Sequence, residues 1–259
     1  MNDGNEQRNF VSDAAPVSPQ AAIRTPEHSD ELLAAADPTL TEDQALALLK
    51  RADLPIEVIE QLAKNRFALK LRKVKIALAC HAHTPRHLSI PLIRQFYTLD
   101  LMKVALSPVV PADVKLSADE TLIGRLKTIT LGERSTLARR ASGSVAGALL
   151  LDPEERIMRA ALENGRLTEA QVVRAVAKPE AGASLVQAVS RHEKWSRRRD
   201  VQAALLRTEH LSLASALVFS SELSPEQLWE ILQTSRLPEK IKSQLLRESA
   251  RRKAAPCAE

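Results

Sequence analysis

Aromatic residues make up only 3% of the chain, and 7 glycines are spread over its 259 residues. Strands draw on aromatic side chains and tight hairpins on glycine, so both shortages argue against a sheet architecture. The two cysteines, Cys80 and Cys257, are too few for a disulfide framework, and reduced thiols are expected. No long apolar run is present either: the longest is near residues 145–151 (VAGALLL), far short of the roughly 20 residues that span a bilayer. The first residues, MNDGNEQRNFVSDAAP, have neither the basic nor the apolar region of a secretory signal. These absences lead to the expectation of a soluble, cytoplasmic protein.

Enzyme signatures are missing as well. HEKWS, from His192, has Ser196 where a zinc-protease helix needs its second histidine. ASGSVAG, residues 141–147, has neither the lysine nor the spacing of a phosphate-binding loop, and no Gly-x-Ser-x-Gly elbow occurs. The expectation is a protein that is not an enzyme and carries no cofactor. A helical-repeat glycosylase would require a carboxylate facing a groove beside Trp195.

What is abundant is leucine and alanine, which favour helices, so the expected class is all-α. The net charge of +5 is unevenly distributed. Asp3, Glu6, Asp13, Glu27 and Asp30 outnumber Arg8 and Arg24 in residues 1–30, which lack helical periodicity and are expected to form a disordered acidic tail. The remainder is correspondingly more basic, a balance that permits an acidic partner or nucleic acid. A short basic, frayed tail is expected over residues 248–259.

Residues 41–62, TEDQALALLKRADLPIEVIEQL, hold the clearest pattern. Asp37 and Pro38 end one helix and Thr41 caps the next, whose inward stripe is Ala45, Leu46, Leu48 and Leu49. Leu54 and Pro55 open another, with Val58, Ile59 and Leu62 inward. Weakened copies return at residues 168–189 and 224–245. The first copy extends without a gap through Arg72, Val74, Ala77, Leu78 and His83, matched by Arg199, Val201, Ala204, Leu205 and His210. Helix starts recur at Pro85, Pro111, Thr130, Thr168, Ser212 and Ser224, in major steps close to the period of about 40–47 residues of HEAT-type repeats. Each step is expected to hold two units that bury their apolar faces by stacking.

Segments such as VKIALACHAHTPRHLSIPLI and IMRAALENGRLTEAQVV resemble bacterial HEAT-like and leucine-rich-repeat-variant proteins. The resemblance covers residues 31–247 and implies a right-handed α-solenoid of stacked short helices. The cysteine-ligated iron–sulfur module of founding leucine-rich-repeat-variant proteins has no counterpart here, since its cysteine cluster is missing. Such a solenoid is expected to act as a scaffold that binds a protein or peptide along its groove, without a membrane.

Two stretches carry candidate chemistry. KNRFALKLRKVK and RHEKWSRRRDVQ, residues 64–75 and 191–202, fall at corresponding places in the two copies. Each mixes an aromatic with cations, and the candidate binding surface is Phe67, Lys70, Arg72, Lys73, Trp195, Arg197, Arg198 and Arg199. Cations neutralise phosphates and exposed rings stack on bases, so the alternative function is nucleic-acid binding through paired loops on one edge. The competing reading has both rings filling gaps between repeats. The second stretch is CHAHTPRH, where Cys80, His81, His83 and His87 are potential metal ligands; the match of His83 with His210 points instead to a turn hydrogen bond, and no metal is expected. In residues 88–126, which depart most from the other copies, Phe96, Tyr97 and Met102 are expected to pack a junction or to line a partner pocket.

Overall fold

The computed structural model describes residues 26–254. In chain order its helices are α1 (Pro26–Ala36), α2 (Glu42–Leu49), α3 (Ile56–Lys64), α4 (Arg72–Cys80), α5 (Arg86–Ile93), α6 (Thr98–Leu106), α7 (Ala112–Arg125) and α8 (Leu131–Arg140). The second half continues with α9 (Gly143–Leu149), α10 (Glu155–Leu162), α11 (Glu169–Ala177), α12 (Ala183–Arg191), α13 (Arg199–Leu206), α14 (Leu213–Ser221), α15 (Pro225–Gln233) and α16 (Glu239–Ala254). The protein is all-helical, with no strand among the described residues.

Local chemistry sets these boundaries. Thr41, Thr130 and Ser224 cap α2, α8 and α15 in reciprocal boxes with Gln44, Glu133 and Gln227, so two backbone donors at each helix start are satisfied. Pro55, Pro85 and Pro111 hold the N-cap positions of α3, α5 and α7 in extended backbone. Most helices have only seven to ten residues, too few to be stable alone in water. Their stability therefore comes from packed faces such as Val58, Ile59 and Leu62 of α3, or Ile157, Met158, Ala161 and Leu162 of α10.

Both ends differ from the sequence expectation. α1 begins at Pro26, inside the stretch expected as tail, while residues 1–25 lie outside the described residues. α16 runs on to Ala254 because Leu245 and Ser249 stay buried and Arg252 donates to the Ser220 carbonyl at 3.1 Å and 3.2 Å. Residues 255–259 lie outside the description.

All principal contacts join helices one or two apart in the chain. One layer runs through α2, α4, α6, α8, α10 and α12; the other runs through α5, α7, α9, α11, α13 and α15. This order is compatible with an α-solenoid. Within a layer the helices run parallel, since Arg72 and Asp100 join the starts of α4 and α6 at 2.7 Å, and Arg86 and Asp113 those of α5 and α7 at 2.7 Å.

The turns consequently form two edges, each bonded along itself. On the first edge, Asn65 Nδ2 donates to the carbonyls of Ala35 (3.1 Å) and Asp37 (2.9 Å), Arg125 to that of Phe96 (2.6 Å), and Ser235 to that of Leu206 (2.6 Å). On the second, His81 Nε2 meets the Arg51 carbonyl at 2.9 Å, Asn164 Nδ2 donates to Ala138 (2.8 Å), and Trp195 Nε1 to Leu162 (3.0 Å). Every one of these bonds links turns two helices apart.

This parity corrects the expected repeat. The step from Thr41 to Pro85 holds three helices, α2, α3 and α4, and the later major steps likewise hold three. Residues 41–62 and their copy at 168–189 therefore begin nine helices apart, at α2 and α11. Nine is odd, so the copy lies in the other layer.

Candidate functional site: a basic groove and an opposed aromatic edge

The turn after α3 belongs to the first edge and the turn after α12 to the second. The eight residues Phe67, Lys70, Arg72, Lys73, Trp195, Arg197, Arg198 and Arg199 thus form two separate clusters rather than one shared surface.

The two rings also differ in burial. Trp195 is 1% exposed and fills the gap between turns, whereas Phe67 is 55% exposed. In the ungapped register Trp195 corresponds to Ala68, which is fully buried, and Phe67 corresponds to Lys194. The buried slot follows the projecting residue by one position in both turns. Lys194 projects over the indole, its Nζ lying 4.0 Å from the ring centroid.

Around Trp195 the surface opens into a trough. One hollow, of about 850 Å³, lies across α8, α10 and α12, and another of about 870 Å³ continues over the turns after α10 and α12. They share Leu162, Glu163, Arg191 and His192. Arg139 and Arg191 come from the last turns of α8 and α12, where helix carbonyls favour a cation. Arg156 and Arg159, one turn apart on α10, share a face opposite the buried Ile157 and Met158. Lys194, Arg197 and Arg198 extend the basic wall across the turn.

Three carboxylates share the trough, two beside an arginine and one beside a histidine. Glu155 contacts Arg159 at 2.5 Å, Glu193 contacts Arg197 at 3.6 Å, and Glu163 lies 3.2 Å from His192 Nε2. His192 Nδ1 accepts the Lys194 N–H at 3.2 Å, which leaves Nε2 as the nitrogen facing Glu163. Arg139, Arg156, Arg191 and Arg198 have no carboxylate partner among the described residues. Carboxylates do line the groove near Trp195, as a glycosylase would require, but the buried indole offers no face to a substrate base.

On the first edge Phe67 and Lys70 sit in the turn after α3, with Lys70 Nζ 5.3 Å from the ring centroid. The next turn along this edge carries Tyr97, which is 69% exposed, with the Arg72 guanidinium 4.9 Å from its centroid. Arg72 is fixed by two contacts of 2.7 Å to the buried Asp100. A hollow of about 600 Å³ adjoins them, lined in part by Lys70, Lys75, Tyr97 and Leu99. Lys73 pairs with Glu42 at 3.6 Å, and Arg199, which opens α13, lines none of these hollows. In the central block, Phe96 is buried and Met102 packs against the core, while Tyr97 faces out.

CHAHTPRH forms a turn of the second edge. His81 accepts the His83 N–H at Nδ1 (3.2 Å) and so presents Nε2–H to Arg51; His83 Nδ1 lies 3.3 Å from the Leu54 carbonyl. Both rings are thus engaged with backbone. His210 differs from its sequence match His83, pairing with Glu209 at 3.1 Å. No group of three metal-ligating side chains occurs among the described residues, and burial pushes the Cys80 thiol up to about 11.

Arg139, Arg156 and Arg159 were not singled out by sequence. Their signal is a cation at the groove-facing positions of α8, α10 and α12, visible only once the two-helix packing period is known. Comparison with protein-family models, with curated proteins and with solved structures finds no match for this chain.

Proposed function

We propose that the protein is a non-enzymatic recognition scaffold, a HEAT-like or leucine-rich-repeat-variant solenoid that holds an acidic segment of a protein or peptide partner in its arginine trough. A cytoplasmic setting belongs to the same reading. The observation that carries it is the convergence of Arg139, Arg156, Arg191 and Arg198 on one trough with no carboxylate partner among the described residues. Like charges gathered this way repel, and an incoming anion relieves that repulsion. Guanidinium forks suit carboxylates because both are planar and can bond in pairs. With Trp195 buried, the trough offers charge and hydrogen bonds but no stacking platform, which favours an acidic peptide over a base-bearing strand here.

Three neighbouring helices of a layer span about 16–20 Å at ordinary packing distances, a length covered by about six extended residues. The test is a titration with a fluorescein-labelled oligoglutamate peptide of about that length across a salt series. Binding should weaken as salt rises, and combining Arg156→Glu with Arg191→Glu should reduce affinity by at least about tenfold. Unchanged affinity in the charge-reversed variant sinks the proposal. No helix among the described residues is long and apolar enough to cross a membrane.

A further inference from the structure

Residues 61–99 contain eight lysine and arginine residues and no aspartate or glutamate. This stretch supplies two successive turns of the first edge, the turns after α3 and α5. Each exposes one aromatic ring, Phe67 and then Tyr97. Each ring has a cation against it: Lys70 at 5.3 Å and Arg72 at 4.9 Å. Asp100 is buried and engages Arg72 through two contacts, so the guanidinium is held in place before any ligand arrives. Glu133, the other carboxylate of the adjoining hollow, already accepts from Thr130.

Exposed rings interleaved with cations are what an unpaired strand requires, because each base has a flat face to stack and each nucleotide a phosphate to neutralise. Turns on adjacent rungs lie about one helix spacing, 8–10 Å, apart. A stacked strand rising about 3.4 Å per nucleotide crosses that distance in two or three steps. A duplex hides its base faces from the rings, and an acidic peptide satisfies the cations but leaves the rings without a stacking partner.

We propose that the first edge is a binding site for single-stranded nucleic acid, with bases against Phe67 and Tyr97 and phosphates against Lys70, Arg72 and Lys75. This site is independent of the arginine trough, since the hollow beside Tyr97 and the two hollows of the trough share no lining residue.

The test uses the full chain and a fluorescein-labelled oligothymidylate of about 16 nucleotides, a length within the range one binding module covers. Anisotropy is read against salt, in parallel with the same strand annealed to its complement. The single strand should bind more tightly than the duplex, with log affinity falling against log salt at a slope of about −1.4 for the two phosphates that Lys70 and Lys75 neutralise, the charge of Arg72 being balanced by Asp100. Phe67→Leu and Tyr97→Leu keep apolar bulk but remove the flat face, and each should weaken binding by about tenfold. Tyr97→Phe should bind as wild type, and Arg156→Ala with Arg191→Ala should leave affinity unchanged. Circular dichroism of each variant confirms that these exposed substitutions leave the fold intact. Equal affinity for strand and duplex overturns the proposal, as do wild-type affinity in both leucine variants, loss of binding in the trough variant, or no binding at about 100 μM protein at low salt. Failure of the oligoglutamate titration alone overturns the trough reading and leaves this one standing.

Discussion

Replacing Trp195 by alanine tests the placement of the two aromatic turns at its most exposed point. The indole is 1% accessible, and its Nε1–H is the donor to the Leu162 carbonyl at 3.0 Å. Truncation leaves a cavity where the second edge bonds to itself, and truncations of buried Trp or Phe cost about 3–5 kcal/mol. Trp195→Phe retains much of the volume but leaves the carbonyl without its donor, for about 1–3 kcal/mol. Phe67→Ala removes a ring that is 55% exposed and should fall within about 0.5 kcal/mol of wild type. Far-UV circular dichroism in urea reads all three. With a slope near 3 kcal/mol per molar, Trp195→Ala should lower the midpoint by about 1 M or more, whereas Phe67→Ala should leave it in place. Because stacked helices lean mainly on neighbours, the loss should appear in the transition that contains α10 to α13. Equal shifts for the two alanine variants, or a negligible shift for Trp195→Ala, would show that the buried slot has been assigned to the wrong position.

Other consequences are checked more simply. Gly143 opens α9 against the turn before α11, and an added Cβ there would meet the Arg166 carbonyl and come within 2.9 Å of Gln171 Nε2. Gly143→Ala should therefore destabilise by about 1–3 kcal/mol, read as a lower urea midpoint. Burial raises the Asp119 carboxyl above its ordinary value, while the Ser142 hydroxyl donates to it at 2.8 Å and pulls the other way. A raised carboxyl favours the folded state below its unfolded pKa and penalises it as pH rises through the folded value. Asp119→Asn should accordingly melt higher than wild type at neutral pH, with the gap closing as pH falls into the carboxylate range; a constant gap would refute the assignment. Cys80, with its thiol pushed up to about 11, should alkylate far more slowly in the folded protein than in urea at mildly alkaline pH, as followed by mass spectrometry of its peptide.

The helix boundaries were legible because capping and proline chemistry act within three or four residues. Thr41 with Gln44, Thr130 with Glu133, and Pro55, Pro85 and Pro111 all mark helix starts that the sequence indicates. The buried stripe of α3 was equally clear, while in α2 only Ala45 and Leu49 are buried. The layer each helix occupies was not legible. Both layers bury one apolar face of short helices, so the same periodicity serves either, and the match between residues 41–62 and 168–189 carries no record of parity. That is why Lys70 and Arg197 align in sequence yet lie on opposite edges. The two rings do not align either, because the register sets Ala68, not Phe67, against Trp195. The trough itself needed Arg139, Arg156 and Arg191 to be brought from three helices far apart in the chain, which no local pattern announces.

An odd offset between related segments also bears on how such a chain can diversify. A segment copied an even number of helices along returns to the same layer, meets equivalent neighbours and remains under the constraints of its original. The matching segments nine helices apart have different surroundings: the position that holds Ala68 on one edge holds an indole on the other, and a projecting Phe67 is matched by Lys194. The counting of helices, rather than the wording of any turn, then decides which residues are released to acquire a new chemistry.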